Sequence, residues 1–168
     1  DPEDYTQRNV LLKLQQRIDG GHRFGLTGES FQYDSDSDSK YLQGPDTSYL
    51  LGENTASEKI KRERVSLDYE YQAPHAGGPI DSAHAVVYWQ RLRLDKGLDA
   101  LRGVDARASI IPGDPFRYGF PSGAYGRDNT IQETLFGVNG EATRRFDGAI
   151  SQLWTVGAEW IGNRTEQY

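Results

Sequence analysis

Apolar and polar residues alternate with a period of two in six stretches of this chain: about Tyr5–Ile18, Arg23–Tyr33, Lys61–Ala73, Ala83–Leu94, Thr130–Phe146 and Gln152–Asn163. That period predicts strands, because successive side chains leave a pleated backbone on opposite faces. In the third stretch Val65, Leu67, Tyr69, Tyr71 and Ala73 share one face, and Arg64, Ser66, Asp68, Glu70 and Gln72 share the other. The last stretch sets Trp154, Val156, Ala158 and Trp160 against Thr155, Gly157 and Glu159, and the first turns Val10, Leu12 and Leu14 away from Asn9, Lys13 and Arg17. Two stretches are equivocal. The fourth offers either Ala85, Val87 and Trp89 or Val86, Tyr88 and Leu92 as its apolar face, and in the second Phe24 and Leu26 are out of phase with Phe31 and Tyr33. A bulge, or a strand running on into the following loop, would produce that slip.

The connections alternate in length. Asp19–His22, Pro74–Ser82 and Asp147–Ser151 are tight, whereas Asp34–Ile60 and Asp95–Asn129 are long. Antiparallel neighbours joined in this way collect every tight turn at one end of the sheet and every long loop at the other. Strands of ten or more residues exceed the five or six typical of soluble sheets and suit a tilted bilayer crossing. The expected fold is therefore all-β, an antiparallel up-and-down meander forming part of a transmembrane β-barrel. Trp154 and Trp160, about 20 Å apart along one face, would put an indole toward each membrane interface. The alternative is a soluble sandwich with ordinary inner-face aromatics.

Composition points the same way. Of 168 residues only 36% are hydrophobic, the mean hydropathy is −0.74 and 19 residues are glycine. So polar a chain would struggle to fill a large core, yet 11% aromatics argue against simple disorder. A barrel wall resolves the conflict, since each strand needs only one apolar face. No apolar run reaches the length of about 18 residues that a transmembrane helix requires. The net charge of −6 disfavours nucleic acid as a partner. Cysteine is absent, which is compatible with an oxidising compartment. The chain starts without Met inside one strand-like pattern and stops just past another, so it is expected to be an internal piece of a longer protein, residues 1–168 forming a partial barrel domain. Six strands fall short of the roughly eight that close the smallest membrane barrels.

Little in the sequence supports catalysis. It contains no nucleophile elbow, no histidine with a metal-ligand partner at i+4 and no glycine-rich phosphate loop, so the expectation is a non-enzyme with no catalytic or metal-ligating residues. Asp34, Asp36 and Asp38 space oxygen ligands as a Ca²⁺ loop would, but without the glycine and distal glutamate of an EF-hand they read as a solvated acidic loop. Leu98, Leu101 and Val104 allow a short helix within Leu98–Ala108, after which Pro112, Pro115 and Pro121 forbid regular structure. Arg62, Arg64, Asp68 and Glu70 read as charge networks on the inner face.

Three stretches carry a family resemblance: Arg62-Glu63-Arg64-Val65-Ser66-Leu67-Asp68-Tyr69-Glu70-Tyr71, then Ile80-Asp81-Ser82 with Val87-Tyr88-Trp89-Gln90, then Arg127-Asp128-Asn129 leading to Leu135-Phe136-Gly137-Val138. In this order they resemble the front half of the barrel in TonB-dependent outer-membrane receptors, particularly the haem and haemoglobin receptor group. Tyr5-Thr6-Gln7-Arg8 to Leu14 and His22-Arg23-Phe24-Gly25-Leu26-Thr27 are similar to that group's early hairpin. The resemblance implies a barrel of about 22 strands with an N-terminal plug, seated in the lipid of the bacterial outer membrane. It further implies energised uptake of haem or haem-protein iron, driven by TonB and its inner-membrane complex through an N-terminal region. Neither plug nor TonB box occurs in these residues, and haem would be a transported ligand rather than a permanent cofactor. A ferric-siderophore receptor, a passive porin-like channel and a soluble β-meander binding module are the alternatives.

Histidine commonly ligates iron in such receptors. By turn length, however, His22, His75 and His84 fall at the tight-turn end, where they read as solvated turn residues. The long loops are the better cargo contacts. Phe116, Arg117, Tyr118, Phe120 and Tyr125 gather rings and a cation in one loop, where rings could stack on a porphyrin and Arg117 could pair with a propionate. Tyr41 and Tyr49 occupy the other long loop. The competing reading is that these loop aromatics pack on one another.

Overall fold

A computed structural model describes residues 3–38, 49–50, 52, 54–75, 77–114 and 116–168; Ser39, Tyr41 and Pro115 lie outside them. Six antiparallel strands form one open sheet in strict chain order: β1 (Glu3–Ile18), β2 (His22–Asp38), β3 (Thr55–Gln72), β4 (Ser82–Arg102), β5 (Gly123–Phe146) and β6 (Gln152–Gln167). All six stretches of alternation are strands. They run further than the alternation shows, because beyond the apolar stretch both faces turn polar while the ladder continues. Asp34–Asp38, Thr55–Ile60, Asp95–Arg102 and Gly123–Asn129 are thus strand rather than loop. Leu98 and Leu101 belong to β4, and the one helical turn among the described residues of that region is a 3-10 helix at Ala106–Ser109, capped by the Asp105 side chain.

Register organises the two faces. One row crosses all six strands in direct opposition: Leu14, Leu26, Leu67, Val87, Val138 and Trp160. The next row toward the long loops is Leu12, Gly28, Val65, Trp89, Phe136 and Gly162. Two rows toward the tight turns come Ile18, His22, Tyr71, Ala83, Ala142 and Val156. The fourth strand's ambiguity is thereby settled in favour of Ala85, Val87 and Trp89. The pairing of β2 with both neighbours is continuous, so no bulge explains its slip: Phe31 and Tyr33 simply lie on the polar face, opposite Arg62 and Ile60.

The opposite face is polar across the sheet, exemplified by the row Gln15, Gly25, Asp68, Val86, Asn139 and Glu159. Ion pairs lace it. Arg62 reaches Glu29 at 2.6 Å, Arg23 pairs with Glu70, and the Arg64 guanidinium lies 5.5 Å from the Tyr88 ring centroid. Asp68 covers Gly25, where a side chain would collide with its carboxylate.

No hydrophobic core forms among the described residues. Among the described residues Ala100 is the one buried hydrophobic, whereas the six residues of the central apolar row are between 43 and 63% exposed.

The tight turns are built for reversal. Gly20 and Gly21 both take positive φ, 90° and 85°, and the Gly21 carbonyl accepts the Gln72 amide at 2.9 Å, tying the first hairpin to the end of β3. A Cβ on Gly21 would overlap the Gln72 carbonyl, whereas one on Gly20 would meet only the His22 ring at ordinary contact distance. Both substitutions by alanine carry backbone strain of about 1–3 kcal/mol. Gly21→Ala is expected to destabilise clearly more than Gly20→Ala, as read from urea unfolding followed by tryptophan fluorescence; equal losses would remove the steric argument.

Candidate functional site

At the long-loop end, the strands rise beyond the apolar band as a polar sheet. On the face that is apolar lower down, the side chains become Arg8, Gln32, Lys61, Arg93, Gln132 and Glu166 in one row. Past the end of β3, β4 finds a replacement partner. The Leu50 amide donates to the Leu101 carbonyl at 2.8 Å, and Asn54, only 2% exposed, accepts the Leu101 amide at 2.8 Å while donating to the Leu50 carbonyl at 3.0 Å. Asn54 thus stands in for a missing strand and fixes the tip of β4. Tyr49, bridged to Arg102, belongs to the same clamp.

The connection from β4 to β5 is closed by Asp105. Its carboxylate accepts the Arg107 amide at 3.0 Å, the Arg107 guanidinium at 3.0 and 3.1 Å, and the Phe120 amide at 3.2 Å. The Arg107 side chain, then its backbone N–H, hold the Asp105 carboxyl below the ordinary aspartate range, with the Phe120 amide acting in the same direction. Gly119 is buried against Asp105 and Ala108, leaving no room for a side chain at the point where the loop folds back.

This latch brings the Phe120 ring to Arg102. The Arg102 Cζ lies 4.5 Å from the Phe120 centroid and 3.3 Å from that of Tyr125. Arg102, the last residue of β4, had no signal in the sequence: it sits outside the loop motif and only the β4–β5 register carries it there. Of the five residues read as cargo contacts, Phe120 and Tyr125 are brought together around this cation. Arg117 instead lies 5.9 Å from the Tyr118 centroid, while Phe116 and Tyr118 stand exposed.

The histidines lie at the other end. His22 is the first residue of β2 rather than a free turn residue: its Nδ1 is 2.9 Å from the Tyr69 hydroxyl, and its ring lies 5.0 Å from that of Tyr71. It belongs to an aromatic rim, completed by Phe24 packed on Tyr69 and, across the sheet, Phe146 against Trp154. His84 faces the polar side opposite Glu141, beside the Arg23–Glu70 pair in an open cleft. His75 is exposed in the turn between β3 and β4. Asp34, Asp36 and Asp38 are strand residues on β2, and among the described residues no three His, Cys, Asp or Glu side chains gather as metal ligands would.

No protein-family model matches the sequence, and no curated protein matches it either.

The Asp105 latch is testable by amide exchange, corrected for intrinsic rates. Asp105→Ala is expected to speed exchange at Phe120 several-fold, by removing a charge-assisted hydrogen bond. Because the folded-state carboxyl is depressed, the latch contributes fully above the unfolded aspartate pKa and is lost only as pH falls through the lower folded value. Wild-type protection at Phe120 should hold through the ordinary aspartate range and fail below it; loss at or above that range would contradict the assignment.

Proposed function

We propose that this sheet is a section of the wall of an outer-membrane β-barrel, belonging to a TonB-dependent receptor that takes up haem or haem-protein iron. One observation carries the barrel reading: an apolar band six strands wide, in register from β1 to β6, with no protein layer over it among the described residues. Six strands and four rows give roughly 28 Å by 26 Å, or about 700 Å² of continuous apolar surface. Soluble monomers rarely expose more than a few hundred Å² in one patch. A bilayer removes the difficulty, since lipid meets the apolar face while the ladder satisfies the backbone polar groups between strands.

The limits of the band fit the same reading. Toward the tight turns it ends in the rings of His22, Tyr69, Tyr71 and Trp154, and toward the loops in Trp89 and Phe136 followed by charged rows, as interfacial aromatic girdles require. The tight turns then face the periplasm and the long loops the exterior. The receptor assignment is supported by the order of the resembling motifs along β3, β4 and β5, and the cargo assignment by the cation and rings gathered at the loop end.

The chain has no cysteine, so single cysteines introduced into the intact protein in lipid vesicles report their surroundings cleanly. Probes at positions 65, 67, 69 and 71 should be quenched by brominated lipid, and those at 64, 66, 68 and 70 should not. Leu67→Arg should cost about 2–4 kcal/mol of folding free energy in bilayers, and Ser66→Arg far less. A protein that is monomeric in water without detergent, with no alternation in quenching, would overturn the barrel reading.

A further inference from the structure

The Arg102 guanidinium lies in van der Waals contact with the Tyr125 ring and close to Phe120. Such contacts engage the flat face of the cation and leave its in-plane N–H donors available to an acceptor. Among the described residues no carboxylate, carbonyl or amide takes them, and none of its nitrogens is walled off from solvent. The surrounding acids among the described residues are committed elsewhere. Asp105 holds Arg107 and Phe120, Glu58 holds Lys96 at 3.3 Å, and Glu3 accepts from Tyr33 and Ser35. Asp99 falls on the opposite face, since the face of Arg102 on β4 carries the even-numbered residues. Arg127, two residues past Tyr125 on the same face of β5, likewise has no carboxylate partner among the described residues. Two guanidinium groups with no carboxylate partner among the described residues thus flank a tyrosine ring where the polar face opens toward the loops.

We propose that Arg102, held by Tyr125 and Phe120, is the docking point for the carboxylate of a flat, carboxylate-bearing ligand, with Arg127 as its second cation. The proposal rests on the function inferred above, under which that ligand is a porphyrin and the docked group a propionate. Three features favour this chemistry: a planar fork matches a carboxylate in two parallel hydrogen bonds, the adjacent rings offer a stacking surface, and the donors are oriented before the ligand arrives. Arg117, on the loop tip beside an exposed ring, lacks that positioning.

The test is titration of the intact protein in detergent with hemin and with hemin dimethyl ester, followed by Soret absorbance. Hemin should bind saturably and more tightly than the ester. Arg102→Gln should weaken hemin about 10-fold or more, as expected for a lost charge-assisted pair, while leaving ester affinity unchanged. Arg102→Lys should fall between, keeping the charge but losing the fork. Equal affinity for acid and ester in the unmutated protein, a comparison needing no variant to fold, would overturn the docking assignment while leaving haem binding in place. No saturable change with hemin at all would overturn the haem cargo itself, and the porphyrin docking point with it.

Discussion

Everything in this molecule depends on a sheet that satisfies its backbone and not its side chains. The ladder pairs the interior strands on both edges, so the polar groups of the main chain are met within the sheet. The apolar face, by contrast, is left uncovered among the described residues. In a soluble sandwich the same alternation would be answered by a second layer, and the burial of that interface would supply the stability. Here register substitutes for layering: direct opposition of apolar residues across five successive pairings makes one continuous apolar band. A one-residue slip anywhere would break it by turning a strand's apolar set to the other side.

The same constraint explains where charge is placed. On the polar face, arginines and acids pair across β2 and β3, in contact with neighbouring rings. On the apolar face, charges lie beyond the band: the charged rows toward the loops, and Arg144 beside the Phe146 ring at the tight-turn end. In the rows toward the loops Arg93 and Asp95 pair at 2.9 Å, and Thr130 donates to Asp95 at 2.6 Å. These exposed pairs contribute little stability individually. Their effect is positional: a strand cannot slide toward the turns without drawing Lys61, Arg93 or Glu166 into the band.

The sheet was legible in the sequence wherever one face was apolar. Val65-to-Tyr71 and Trp154-to-Trp160 alternate cleanly because only one face of each strand is apolar, and those faces are the ones the structure shows. Legibility failed where both faces are wet. Asp34–Asp38 and Asp95–Arg102 carry no alternation to read, yet they remain strand because the neighbouring backbone is there to pair with. Leu98 and Leu101 mimic a helical spacing for the same reason. On β2, Phe31 and Tyr33 hid the period by placing rings on the polar face, one of them 5.5 Å from the Arg62 guanidinium.

Failure to read the strand extensions is also why the loop cluster was only half visible. Phe120 and Tyr125 stand out in a glycine- and proline-shaped segment, and the nearest cation in sequence is Arg117. If β4 stopped at Leu94, Arg102 would be one more loop residue with no fixed position. Because β4 continues to Arg102 and β5 begins at Gly123, the ladder sets Arg102 against Gly123 and, on the same face, beside Tyr125. Asp105 then returns Phe120 to that point through a backbone hydrogen bond, something no spacing rule encodes. A cation placed by a strand end and a ring placed by a latch are rigid in a way that a loop tip is not. Preorganisation of that kind separates a site from a patch of suitable residues.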